Sequence, residues 1–244
     1  MATFKDYILK PGQSGAPLTV ASVGASPVIS NPWEYCVSGL PQGYTSLQQF
    51  RADLLKNGYE RVWWYFYDSV KLDAADANTR VLKYFQEPVG VGGKNLIRTN
   101  FYGAGQFPSP QFAVIHKVGW YCVPITTADP ATTHDDFLLF TNNTTISFEK
   151  NQKKYFTVPC WAIPAGGGQI SYSQPGSAST RDMLWNGIPD HRGMVDWRIP
   201  LIIEQNQHFE FTQEVDADAF NTFTGTAVMW GYVGFWCELF RAIA

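Results

Sequence analysis

The sequence has little charge and no region where charge of one sign accumulates. Asp, Glu, Lys and Arg together make up 16% of the 244 residues, against roughly 25% in an ordinary soluble domain. The formal net charge is -3, and the longest basic run is Lys153-Lys154, so the positive patch that binds nucleic acid is missing. A surface so poor in charge is typical of a protein that other protein partly covers. We therefore expect protein partners and no direct contact with nucleic acid.

Segments that would target or anchor the chain are also missing. The first ten residues hold no uninterrupted apolar stretch after a basic start, so we expect no secretory signal and synthesis in a host cytoplasm. The most apolar run, residues 227–240, is about 14 residues long and is interrupted by Gly231, Gly234 and Glu238. A membrane-spanning helix needs roughly 20 apolar residues. We expect a buried strand there and no transmembrane segment.

Metal-knuckle patterns are absent from the cysteines. Cys36, Cys122, Cys160 and Cys237 lie far apart, with no CxxC pair and no histidine at zinc-finger spacing. Each has apolar neighbours, among which cysteine behaves as a small hydrophobic residue. We interpret all of them as buried free thiols.

What the chain does have is β-formers: aromatic residues reach 16%, and many stand in runs typical of strands. Trp197, Ile199, Leu201 and Ile203 alternate with other residues at the period of a half-buried strand, where Pro200 predicts an edge or a bulge. Residues 62–67 are apolar on both faces, so we expect both faces to be covered. We predict strands near residues 62–67, 80–85, 95–102, 111–123, 137–140, 145–148, 154–163, 197–204, 209–212 and 227–240, with a hairpin across Asn142-Asn143 joining the fifth and sixth.

One helix is predicted near residues 46–57. Thr45, with Gln48 three residues on, has the pattern of a capping box, and Asn57-Gly58 is a typical end. The residues expected on its buried face are Leu47, Phe50, Leu54 and Leu55.

This order of elements predicts an all-β protein, an antiparallel jelly-roll sandwich with one short helix, because strand–helix alternation is absent. Residues 1–43 are rich in Gly, Pro and Ser and predict an extended N-terminal arm or edge hairpin. Residues 44–244 form the predicted jelly-roll domain. A compact double jelly roll is the alternative left open.

No group of residues has the spacing of a known catalytic site, so we expect no enzyme and no cofactor. Asp190-His191-Arg192 offers an acid, a base and a cation, but no Ser or Cys nucleophile stands in a recognisable elbow beside it. The glycines before Lys94 lack the Walker spacing. Whether a cation bridges subunits near Asp135 and Asp136, with His134 and Glu149 as further ligands, stays open.

The C-terminal part of the chain resembles the jelly-roll capsid proteins of tailless icosahedral viruses of prokaryotes. The resemblance is carried by residues 199–211, Gly225 and the apolar strand from residue 228 to 235. It implies a structural virion protein that stands in a shell as trimers or pseudo-hexameric capsomers, with N-terminal arms that tie neighbours together.

The leading hypothesis is therefore a self-assembling capsid shell subunit, located in the virion. Its partners would be further copies, as a trimer or larger homo-oligomer, and other virion proteins. Aromatic residues anchor interfaces, so the expected intersubunit contacts are Trp33 and Tyr35 in the arm and Trp161 and Trp185 beside the glycine-rich loop. The alternatives are a carbohydrate-binding β-sandwich module, whose exposed tryptophans would stack on sugars, and a hydrolase that depends on His191.

Overall fold

The structure is a computed structural model that describes residues 40–73, 80–124, 140–165, 170–172, 183–185, 193–216 and 228–243. Within these ranges the named elements are one α-helix, a 3₁₀ turn at Cys160–Ala162 and ten strands. The helix, α1, is Leu47–Lys56. The strands are β1 (Tyr59–Asp73), β2 (Val81–Tyr84), β3 (Gln111–Pro124), β4 (Thr144–Lys150), β5 (Lys153–Pro159), β6 (Ile170–Tyr172), β7 (Met183–Trp185), β8 (Val195–Ile203), β9 (Phe209–Val215) and β10 (Val228–Ala242).

Eight of the strands form two antiparallel sheets. The first sheet has the order β1-β10-β3-β8 and the second has the order β2-β9-β4-β5, while β6 and β7 pair separately. Among these eight strands in chain order, the first pairs with the last, the second with the seventh, the third with the sixth and the fourth with the fifth. This nesting of pairs across two sheets is the jelly-roll arrangement. The predicted all-β jelly-roll sandwich is confirmed.

The core lies between the two sheets and is largely aromatic. Alternation turns Phe211 of β9 and Phe235 of β10 toward each other, with ring centroids 6.0 Å apart. Phe148 of β4 lies 4.7 Å from Phe211, and Phe85 lies 5.2 Å from Phe235. All four rings are fully buried, and each contributes on the order of 2 kcal/mol through the apolar area removed from water.

Helix α1 packs on the outer side of the first sheet, and its cap lies one residue later than predicted. Ser46 has extended backbone and accepts from Gln49 N–H at 3.1 Å, while the Gln49 side chain accepts from Thr45 N–H at 3.0 Å. Ser46 is the N-cap residue because its carbonyl accepts the first hydrogen bond of the helix, from Phe50 N–H. The predicted end at Asn57-Gly58 is confirmed.

The buried face of α1 is narrower than predicted. Leu47, Phe50 and Leu54 are buried against the sheet, but Leu55 is 48% exposed. Leu55 was wrongly placed because the three buried residues already fill the contact, which β3, β8 and β10 complete with Val114, Ile202 and Phe240.

The predicted strand over residues 95–102 is wrong. Asn95 forms a turn instead: its side-chain oxygen accepts from Ile97 N–H at 3.0 Å and its carbonyl from Arg98 N–H at 2.8 Å. Only Thr99 pairs as a strand would, in an isolated bridge to Asp68 of β1. The other described strand predictions overlap observed strands, and residues 137–139 lie outside the description.

The predicted hairpin across Asn142-Asn143 is also wrong, because residues 140–142 form a helical turn. Strand β4 instead joins β5 through Asn151 and Gln152, which have φ of 49° and 65°. Two successive left-handed residues make the tight turn whose twist matches a hairpin.

Two smaller predictions are confirmed. Strand β8, which contains Pro200, is an edge strand, and its pairing with β3 shifts register between Ile115 and Lys117. Cys122, Cys160 and Cys237 are buried free thiols, and burial raises the pKa of each, while Cys36 lies outside the described residues.

Candidate interaction surface along the first sheet

Aromatic side chains cover the outer face of the first sheet. Because side chains alternate along a strand, β1 directs Phe66 into the core and Trp63, Tyr65 and Tyr67 outward. The Trp63 indole stacks on Trp236 of β10, with centroids 6.1 Å apart. We call this surface the aromatic face; its members are Trp63, Tyr65, Tyr67, Tyr121, Trp230, Tyr232 and Trp236.

In the centre of the aromatic face, a tyrosine ring packs directly on the backbone of the neighbouring strand. Tyr65 lies across Gly234 of β10, where a Cβ atom would overlap its phenol ring. The Tyr65 hydroxyl is buried and has no hydrogen-bond partner among the described residues. Burial, and then the neighbouring Tyr67, raise the pKa of Tyr65 to about 12. The hydroxyl therefore keeps its proton at neutral pH.

Arg98 closes one end of the aromatic face. Its guanidinium lies 3.7 Å from the ring centroid of Trp230, in cation–π geometry. The same group donates to the Tyr232 hydroxyl at 2.6 Å. The long loop before β3 thus attaches to the outside of the sheet.

A charged cluster closes the other end, next to α1. Arg51 Nε donates to Glu238 at 2.8 Å, and His116 Nε2 lies 3.1 Å from the same carboxylate. Burial alone would raise the pKa of Glu238, but the bonds from His116 and Arg51 outweigh it and hold the pKa below its ordinary value. The His116 ring also lies 5.2 Å from Trp63. The cluster therefore links the helix to the aromatic face.

The free edge of β1 is the least covered part of this surface. Trp63 is 48% exposed on the outer face and Trp64 is 44% exposed on the opposite face. The prediction that both faces of residues 62–67 are covered is therefore wrong for the described chain. A run that is apolar on both faces is typical of a central strand, yet β1 lies at the edge of its sheet.

A cleft of about 190 Å³ opens beside Trp64. Tyr102, which is 71% exposed, contributes a second aromatic ring to its lining. Polar groups line it too, namely Asn100, Gln111 and Arg241. A second cavity of about 190 Å³ is bordered by β3, β5 and β8 and is apolar apart from Asp196.

The predicted contact residues are only partly described. Trp161 is 58% exposed in the 3₁₀ turn. Trp185 belongs to β7, but the structure does not describe its side chain. Trp33 and Tyr35 lie outside the described residues. The predicted contacts of these four residues therefore stay predictions.

The residues considered for metal binding or catalysis are also only partly described. His134, Asp135 and Asp136, and Asp190 to Arg192, lie outside the described residues. Glu149 lies in β4 and forms a 3.4 Å pair with Lys154 of the adjacent strand. Lys94 is directed into the core, onto Asp68, at 2.8 Å. Within the part of the chain that is described, no cluster of His, Cys, Asp and Glu has the arrangement of a metal site.

Sequence reasoning missed the aromatic face as a surface because it expected both faces of residues 62–67 to be covered and residues 227–240 to form a buried strand. The signal was the run of residues 62–67, whose two apolar faces fit either a central strand or an edge strand that a partner covers. Strand position depends on pairing with distant residues, and the run itself does not contain that information.

Comparisons with protein-family models, with curated proteins and with solved structures returned no match to this chain. No helix in the described ranges is long and apolar enough to cross a membrane.

Proposed function

We propose that this protein is a self-assembling capsid shell subunit of a virion. The observation that carries the proposal is the exposed aromatic surface along β1, where Trp63 and Trp64 are each more than two-fifths exposed. Aromatic residues on a stable sheet are the usual anchors of protein interfaces. The low charge of the chain, 16%, supports the same conclusion, because a solitary subunit needs more charge for solubility.

The partners in this proposal are further copies, as a trimer or larger, together with other virion proteins. The subunit is made in a host cytoplasm and resides in the virion. Residues 1–43 act as an arm, with Trp33 and Tyr35 as contacts, and Trp161 and Trp185 supply a second contact region. The proposal assigns the chain no catalytic step, no cofactor and no direct contact with nucleic acid.

The proposal is tested by measuring the solution mass of the purified protein by light scattering over a concentration series at neutral pH, followed by electron microscopy. We expect a trimer, a hexamer or a larger closed species. A Trp63→Lys variant should lower the mass because it places a charge on the exposed surface, whereas Val81→Lys, at a 51% exposed position on β2, is the matched control. A 27.4 kDa monomer at every concentration would overturn the proposal.

The second candidate function is carbohydrate binding, favoured by the cleft between Trp64 and Tyr102. Aromatic faces stack on sugar rings, and the amides of Asn100 and Gln111 line the same cleft. This function predicts a monomer whose tryptophan fluorescence changes on addition of glycans. Trp64→Ala should abolish the change and Trp161→Ala, outside the cleft, should preserve it; an unchanged signal from the native protein across a glycan panel would exclude this candidate.

A further inference from the structure

Along part of its free edge, the backbone of β1 has no hydrogen-bond partner among the described residues. Asn100 covers the middle: its side chain bonds Tyr67 N–H at 2.9 Å and the Tyr65 carbonyl at 2.8 Å. The pairing of β1 with β10 runs without a register shift from Tyr59 to Asp73. Since backbone groups alternate sides along a strand, the N–H and C=O of Arg61 and Trp63 face this same edge. No described residue forms a backbone hydrogen bond with Arg61 or Trp63 across this edge.

The other edge strands of the two sheets carry features that hinder pairing. Strand β2 has only four residues, and β5 begins with two lysines and ends at Pro159. Strand β8 contains Pro200 and a register shift. Short strands, lysine, proline and bulges are the usual protections of a sheet edge. Residues 59–64 of β1 have none of these, and they carry two exposed tryptophans.

We infer that residues 60–64 of β1 pair antiparallel with the same residues of a second copy, which joins two four-stranded sheets into one continuous sheet. Twofold symmetry makes such a contact self-complementary. An added strand would bond the free groups of Arg61 and Trp63 and would cover Trp63 and Trp64 from the side. The inference rests on the proposed function, for which it supplies one twofold contact of the shell.

Charge selects the register of this pairing. In an antiparallel pair, the residues whose N–H and C=O groups face the partner strand must lie opposite each other. The twofold axis must therefore lie level with one residue of each strand and not midway between two residues. An axis at Arg61 would place two guanidinium groups side by side, which is repulsive. An axis at Trp63 would place Arg61 opposite Tyr65 of the second copy and would need the Tyr65 carbonyl as an acceptor. That carbonyl already accepts a hydrogen bond from the Asn100 side chain. An axis at Val62 places Arg61 opposite Trp63 of the second copy, a favourable cation–π pair.

A disulfide test reads this register directly. In the proposed dimer, residue 62 faces itself in a non-hydrogen-bonded pair with Cα atoms about 4.5 Å apart, within the range of a disulfide. Residue 61 is diagonal to itself at roughly 8 Å, beyond that range. In a Cys36→Ser background, with the three described cysteines buried, mild oxidation should convert Val62→Cys largely to a covalent dimer and leave Arg61→Cys mostly uncrosslinked. No dimer of Val62→Cys, or equal crosslinking of both variants, would overturn the inference.

A second pair of variants acts on the hydrogen bonds. Arg61→Pro removes an N–H that faces the free edge and leaves the ladder to β10 intact. Relative to Arg61→Ala, it should weaken the dimer at least tenfold in light scattering, with an unchanged circular dichroism spectrum. Equal dimer affinity of the two variants would count against the pairing, and the disulfide test stands even where Arg61→Pro does not fold.

The outcomes separate this inference from the proposed function. Native oligomers whose Val62→Cys variant does not crosslink would overturn the edge pairing alone. Crosslinking of a protein whose mass stops at the dimer would support the pairing and overturn the shell. A monomer at all concentrations without crosslinking would overturn both.

Discussion

At the residue scale, the buried ion pair between Asp68 and Lys94 holds the loop before β3 against β1. Lys94 Nζ lies 2.8 Å from both carboxylate oxygens, and Asp68 also accepts from Phe85 N–H at 2.5 Å. Burial raises the pKa of Asp68, while Lys94 and the Phe85 N–H oppose that effect. The glycine-containing turn that ends at Lys94 therefore has a structural role: it directs a lysine onto a buried carboxylate.

Removal of the lysine charge should be strongly destabilising. Lys94→Met leaves a buried carboxylate without its cation, at a cost of about 3–5 kcal/mol in the free energy of unfolding. Lys71→Met is the matched control, because the Lys71–Asp73 pair is exposed, and it should cost less than about 1 kcal/mol. Urea unfolding measures both. The double variant Asp68→Asn with Lys94→Met should recover part of the loss, and equal losses in the two lysine variants would contradict the role of burial.

At the element scale, α1 is attached to the first sheet by an apolar contact and by one carboxylate. Phe50 lies 6.3 Å from Phe240 and 5.9 Å from Phe112, edge to face. Beside them, Glu238 joins Arg51 of the helix to His116 of β3. The attachment therefore depends on pH through Glu238.

The sign of this dependence follows from the lowered pKa of Glu238. A carboxyl whose pKa is lower in the folded state stabilises the fold above its unfolded pKa, and the contribution is lost as pH falls through the folded pKa. Glu238→Gln should therefore cost about 2 kcal/mol at pH 7, and its difference from the native protein should shrink toward pH 3. Unfolding at both pH values measures this.

Glu60→Gln serves as the control, because Glu60 pairs with Arg241 on the surface and should show little difference at either pH. A cost of Glu238→Gln that stays constant down to pH 3 would contradict the assignment.

At the scale of the whole molecule, the first described element, α1, begins at Leu47. The predicted arm, residues 1–43, thus precedes the elements that form the jelly roll. Under the arm hypothesis, truncation of this segment changes assembly and leaves the fold intact.

Deletion of residues 1–30 should weaken assembly and leave the fold intact. Light scattering should report a smaller mass at equal concentration, while the midpoint of thermal unfolding stays within a few degrees of the native value. A Gly/Ser segment of equal length in place of residues 1–30 shows whether the sequence of the arm matters or only its presence. Unchanged assembly after deletion would exclude the arm as a contact.

Local sequence was enough to determine the strand content and the end of the helix. The alternation of Phe209 and Phe211 and the apolar run of β10 predict strands because a strand must bury one or both faces whatever its neighbours are. Asn57-Gly58 ends α1 because Gly58 adopts φ of 83°, which glycine tolerates without strain. The Cys122, Cys160 and Cys237 thiols are buried because the strands and the turn that contain them are buried.

Only the tertiary structure decided which strand lies at an edge and which aromatic residues reach the surface. Residues 62–67 have the same pattern in the centre of a sheet as at its edge, and the pairing of Trp63 with Glu238 joins positions at opposite ends of the domain. Asn95 turns the chain and Asn100 covers part of β1 because side-chain hydrogen bonds replace a strand that local propensity favours. The candidate surface is therefore a product of long-range pairing, since exposure depends on which neighbours a strand has and not on the residues within it.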